Sequence, residues 1–225
     1  MKYSQIIIVF FCFFQFAQAQ IAPPVVYDRP PVVRQKSDPY KRYFTYKATL
    51  SGGFSQPVST FTNYITKGSV GNIGINIDVD FPSQPYSAGV NIGQFSYYER
   101  LPRKMYSSSG QDISAVQTHT LSITEIMASG KFNLASVSAP IRPYLNGGVG
   151  VGFTNYTNYW GSISTGENSI KIIGQVGAGV RILFKKDGNW GIDLNANYKY
   201  IPYQYNDIKD ASSLNARLGL FYRWW

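Results

Sequence analysis

His119 is the only histidine in this 225-residue chain, so imidazole chemistry of any kind must begin there. Ser122 and Glu125 follow it at intervals of three. Serine, histidine and a carboxylate are the parts of a base-activated nucleophile with an orienting acid. Such chemistry needs the imidazole within about 3 Å of the hydroxyl. The stretch alternates in polarity as a strand does, and on a strand residues 119 and 122 have opposite parity and point to opposite faces. No catalytic residue is therefore assigned. Asp78 and Asp80 share one strand face, as a metal pair would, but no further ligand accompanies them and they are read as partners for cations. The single cysteine, Cys12, excludes an intramolecular disulfide or a Cys-rich metal site, and one histidine excludes multi-histidine zinc chemistry. No metal and no cofactor is expected. Lys and Arg outnumber Asp and Glu by 21 to 12. Without a Gly-rich phosphate loop, zinc-finger spacing or a basic helix, that excess does not indicate nucleic acid.

The elements that position these residues begin after a leader. Residues 1–19 read as a secretory signal peptide: Lys2 is the positive start, 6–14 is an apolar run, and Ala17-Gln18-Ala19 is the small-x-small cleavage site. The run is too short to span a bilayer as a helix, which takes about 20 apolar residues. Cys12 would leave with it. Residues 20–42 form a basic arm in which Pro-Pro-Val-Val occurs twice, at 23–26 and 30–33. Proline fixes φ and removes a donor, so the arm favours extended, polyproline-like conformations. It reads either as a solvated leader or as a stiff tether docking a partner through Pro23, Pro24, Pro30 and Pro31.

From residue 43 the chain repeats one theme, about ten residues of alternating polarity and then a turn-rich break. The segments are 43–53, 69–81, 87–98, 117–128, 140–153, 169–184, 189–200 and 213–225. In the second, Ile73, Ile75, Ile77 and Val79 alternate with Asn72, Gly74, Asn76, Asp78 and Asp80. In the last, Leu214, Ala216, Leu218, Leu220, Tyr222 and Trp224 oppose Asn215, Arg217 and Arg223. The fourth is least regular. Leu121 and Ile123 make its apolar phase, and Glu125 breaks it. The pattern predicts an all-β chain, an eight-stranded antiparallel up-and-down barrel.

Period two alone cannot say which face is buried, because a soluble barrel hides its apolar face and a membrane barrel shows it to lipid. Three features favour lipid. Aromatics gather at the ends of the apolar stripes, at Phe44, Tyr46, Phe81, Phe153, Phe184, Trp190, Tyr198, Tyr200, Tyr222 and Trp224, as two interfacial girdles would. The polar face carries Gly74, Gly89, Gly93, Gly148, Gly150, Gly177 and Gly179, which leave room for large charged side chains inside a narrow barrel. Long breaks at 54–68, 99–116, 154–168 and 201–212 alternate with short ones at 82–86 and 185–188, while 129–139 is intermediate. These features predict a transmembrane β-barrel over 43–225 in a Gram-negative outer membrane, with both termini, the short turns and the arm in the periplasm.

The pattern over 43–225 resembles the small eight-stranded outer-membrane barrels, the superfamily of OmpA-type and OmpX-type domains. Residues 143–153, Pro-Tyr-Leu-Asn-Gly-Gly-Val-Gly-Val-Gly-Phe, look like the fifth strand of such barrels. The terminus Phe221-Tyr222-Arg223-Trp224-Trp225 looks like the signal read by the barrel-assembly machinery, although Trp225 falls on the polar phase. The cleavage region and the Tyr-rich composition look like outer-membrane proteins of Bacteroidetes-type bacteria. The resemblance implies outer-membrane lipids and lipopolysaccharide as surroundings and the assembly machinery as a partner in biogenesis. Some barrels of this kind deacylate lipid A with a serine two residues after the histidine; here that position is Leu121.

An eight-stranded barrel is filled by its own side chains. The lumen set is Lys47, Asp78, Asp80, Arg142, Lys171, Arg181, Asp193, Lys199 and Arg217, with Asp193 expected to pair with Arg181 and Arg217 in a structural polar plug. His119 is expected in an interfacial polar ring. Tyr97, Tyr98, Tyr106, Tyr156, Tyr159 and Trp160 are read as loop aromatics open to a partner. The expected role is a non-enzymatic envelope scaffold or accessory subunit that docks another outer-membrane or periplasmic protein through arm and loops. A lipid-modifying enzyme and a narrow pore are the alternatives.

Overall fold

The computed structural model describes residues 42–108, 111–161, 163–203 and 209–225. Its strands are β1 (Thr45–Pro57), β2 (Ser69–Asp80), β3 (Tyr86–Arg100), β4 (Lys104–Ser108), β5 (Gln111–Ala115), β6 (Gln117–Asn133), β7 (Ile141–Trp160), β8 (Ile163–Leu183), β9 (Trp190–Tyr200) and β10 (Ser213–Trp224). Eight of them close a barrel in the order β1-β10-β9-β8-β7-β6-β3-β2, and β4 and β5 make a separate hairpin between β3 and β6. Every barrel pairing is antiparallel, and closure runs from Tyr46↔Trp224 to Pro57↔Ser213. In a bilayer the backbone amides must find partners within the protein, so alternating strands have no stable open arrangement there.

The apolar phase faces out. Leu50, Ile73, Ile77, Val149, Ile172 and Leu218 are all about half or more exposed around the wall, a belt no aqueous surface would carry. The ten aromatics of the expected girdles also point outward. Near the strand ends Tyr46 stacks on Trp224 at 5.9 Å, Trp190 lies 4.9 Å from Tyr222, and Phe44 meets Phe81 edge-on at 5.9 Å. One bulge preserves the pattern. The β1–β2 register jumps so that Gly53 faces Asn72 and Phe54 faces Val70, leaving Gly71 unpaired at φ +84°. The skipped residue lets Val70 and Ile73, of opposite parity, both face outward, and its positive φ is the reason for glycine.

Two connections differ from the sequence expectation. Residues 154–168 are not a loop: β7 and β8 stay paired from Thr154↔Ser169 to Trp160↔Ile163 and turn at Gly161, φ +64°. One face of this hairpin is buried, with Thr154, Tyr156 and Asn158 turned inward, and the other is open; polar residues stand on both, so the polarity stops alternating, while Thr, Tyr and Trp keep it extended. The break at 129–139 is also shorter, because β6 runs to Asn133 and leaves a turn over 134–140. That turn lies at the same end as 81–85 and 184–189, and the connections that follow β1, β3 and β9 leave from the opposite end.

Candidate functional site

The lumen is built in two tiers. In the lower tier, three carboxylates meet four cations. Asp78 accepts from Lys131 at 2.5 Å and from Arg181 at 2.9 Å. Asp80 pairs with Lys47 and, at 2.7 Å, with Arg142. Asp193 accepts from Arg181 Nε at 3.0 Å and from the Tyr144 hydroxyl at 2.7 Å. All seven charged groups are almost wholly buried. The strand order makes β2 and β8 opposite walls, so the Arg181–Asp78 bond is a brace across the bore. Small residues make this fit: a Cβ on Gly89 would lie 2.4 Å from the Asp78 carboxylate.

Higher up, Glu125 on β6 pairs with Lys199 on β9 and, at 3.3 Å, with Arg217 on β10, the strand opposite. Arg217 therefore does not join Asp193 as expected; at the Arg217 level the cross-strand neighbour on β9 is Asn195. Lys199 Nζ and the Arg217 guanidinium lie 3.8 and 4.8 Å from the centre of the Phe95 ring, which lids this cluster. Lys171 is the least enclosed of the expected lumen set, half-buried with its ammonium 5.6 Å from the Tyr203 ring.

Above Phe95 the bore is apolar, contrary to the expected polar filling. Phe61, Ile65, Tyr97, Leu121, Ile123, Tyr156, Ile173 and Ile201 belong to one buried cluster, which Met127 continues below the level of Glu125. Leu121 and Ile123 thus point inward with Glu125, and the outward phase of β6 is Thr120, Ser122, Thr124 and Ile126. Tyr97 and Tyr156 are core residues, not surface aromatics, because the connection over 58–68 folds into the mouth and covers them. Its 3-10 turn, Ser59–Asn63, drops Phe61 edge-on to Tyr97 at 5.0 Å. The plug is sewn to the wall. His119 Nδ1–H donates to the Tyr64 carbonyl at 3.0 Å and its ring stacks on Tyr64 at 3.7 Å. Glu99, opposite His119 in register, accepts from the Thr66 amide and hydroxyl at 2.5 and 2.8 Å. Asp210 takes the Ser59 hydroxyl at 3.1 Å from the neighbouring connection.

His119 is thus a buried latch rather than a member of an outer ring, and Ser122 lies on the other face of the strand. Replacing it, His119→Ala, should leave the barrel folded and free 58–68 at a cost of about 1–2 kcal/mol. Limited proteolysis in micelles should then cut within 58–68 faster than in the wild type. Between the tiers remains a polar cavity of about 30 Å³ touched by Ser51, Asn76, Asn91, Tyr144, Gln175 and Asn197, room for a water or two. Among the described residues no group of three or more His, Cys, Asp or Glu could hold a metal. Pro23, Pro24, Pro30 and Pro31, like the leader, lie outside the described residues.

A barrel of eight antiparallel strands with an apolar belt outside and an ion-paired lumen inside is an integral membrane protein of the outer-membrane type. Solved structures of outer-membrane proteins are similar to it. A major outer membrane protein of Thermus thermophilus superposes with a TM-score of 0.59 at 10% identity, over 81% of this chain and all of that one. Neisserial surface protein A gives 0.47 at 14% identity over 80% and 95%. The N-terminal barrel domain of Pseudomonas aeruginosa OprF gives 0.42 at 12% over 79% and 97%. No protein-family model and no curated protein sequence matches the chain.

Proposed function

We propose that this outer-membrane barrel is a non-enzymatic scaffold or accessory subunit that docks another envelope protein through its periplasmic arm and its loops. The closed bore carries the reading. Cross-wall ion pairs fill the lower lumen and an apolar plug fills the mouth, so the chain meets other molecules through its connections, its arm and its outer wall. The duplicated Pro-Pro-Val-Val of the arm supplies stiff extended chain, the form that partner grooves bind with little ordering cost.

Deleting residues 21–38 from the full chain tests this directly. The truncated protein should keep its heat-modifiable migration on gels and lose the partner that co-purifies in mild detergent. An unchanged set of co-purifying proteins would remove the arm from the reading. In planar bilayers the intact protein should give no steady open conductance, and a steady current would point to a pore instead.

A further inference from the structure

The buried charges of the two tiers do not balance. Among the described residues, the lower tier sets Lys47, Lys131, Arg142 and Arg181 against three carboxylates, and the upper sets Lys199 and Arg217 against Glu125 alone. Six cations to four carboxylates leave two positive charges in the bore without a counter-charge. Glu99 at the mouth and Arg223 at the opposite end, both buried, leave that difference unchanged. Enclosed charge that nothing offsets is costly, so the surplus calls for an anion.

The cavity between the tiers lies where the surplus is. All eight barrel strands line it, and Lys131 from the lower tier and Arg217 from the upper both reach it. Thr49 Oγ1, Ser129 Oγ and Arg217 Nε belong to its lining, on side chains more than nine-tenths buried, and none of the three atoms has a hydrogen-bond partner. The Nε–H can only donate, and both hydroxyls can turn to donate as well. The amides of β7 and β9 are engaged elsewhere. Asn146 donates to Asn197, Asn197 to Asn195 and Asn195 to Asp193, at 2.7, 2.7 and 3.0 Å. Asp193, the one carboxylate on the cavity, has both oxygens occupied by Tyr144, Asn195 and Arg181. The unpartnered carboxamide oxygens of Asn91 and Asn146 suit a water. A volume of about 30 Å³ takes one halide with a water beside it, and is too small for sulfate or phosphate.

We propose that this cavity binds a halide-sized anion, chloride being the common one, held by the Arg217 guanidinium and the Thr49 and Ser129 hydroxyls and offsetting part of the surplus charge of the lumen. The site is independent of the arm and of any partner the arm docks.

Full-length protein folded into micelles and crystallised with bromide as the only halide places an anomalous scatterer at the site. A bromide peak in the cavity, within hydrogen-bonding distance of Arg217 Nε, is the expected result. Ordered water there without anomalous signal, or bromide on the outer surface only, would overturn the assignment and leave the surplus to be relieved by a lysine giving up its proton. In solution the urea midpoint should rise with chloride while gluconate holds the ionic strength constant, because an anion bound only by the folded state stabilises it by mass action. The double variant Thr49→Val, Ser129→Ala keeps every ion pair, and its gel migration reports folding. Its response to chloride should fall to about half or less. A wild-type midpoint indifferent to chloride, or a variant as responsive as the wild type, would also overturn the proposal.

Discussion

Glu125→Leu is expected to cost the barrel about 3–5 kcal/mol, the usual penalty for leaving buried charge without its partner. Glu125 is wholly buried and is the counter-charge for two cations, Lys199 from β9 and Arg217 from β10. Removing it leaves two like charges against the face of Phe95, where the ring quadrupole offsets only part of their desolvation. Urea unfolding in micelles, followed by tryptophan fluorescence, should show the loss as a lower midpoint at unchanged slope. The combination Glu125→Leu, Lys199→Met and Arg217→Leu should recover most of it, because replacing a whole buried ion cluster by apolar side chains is often neutral. A single variant as stable as the wild type would mean that water reaches the cluster and screens it.

Arg181→Met should be at least as damaging. Its guanidinium bonds Asp78 at 2.9 Å and Asp193 at 3.0 Å, and lies 3.9 Å from Asp80. Without it Asp193 loses its ion pair and keeps the hydrogen bonds from Tyr144 and Asn195. The temperature at which the folded gel band disappears should drop by about 10 °C or more. Arg181→Lys should recover only part of the loss, because an ammonium is a point charge and cannot fork between carboxylates on β2 and β9. Full rescue by lysine would show that net charge matters at this position and the fork does not.

Parity made most of the lumen legible. Once period two assigns a face, Lys47, Asp78, Arg181 and Lys199 fall inside with their strands, and the Arg181–Asp193 pair follows from adjacency across one ladder. Lys131 escaped because it lies beyond the residues that alternate cleanly, although β6 continues to Asn133. Glu125 escaped for a different reason. It shares odd parity with His119, Leu121, Ile123 and Met127 on β6, and reading those apolar residues as lipid-facing made the carboxylate look out of phase. The even positions Thr120, Ser122 and Thr124 carried the missed signal, since a lipid-facing stripe is rarely so polar.

What the amino-acid order determined alone is therefore local: the strands, their faces except on β6, the outward belt and most of the inward charges, because each depends on a two-residue period the chain carries within itself. Which charges meet was decided only when the barrel closed. Arg181 reaches Asp78 and Arg217 reaches Glu125 across the bore, between strands whose opposition is a property of eight-fold closure and not of any segment. The plug was decided the same way. Phe61 and Ile65 sit in a connection without periodicity, and only a mouth lined by Tyr97, Leu121 and Tyr156 makes their burial favourable.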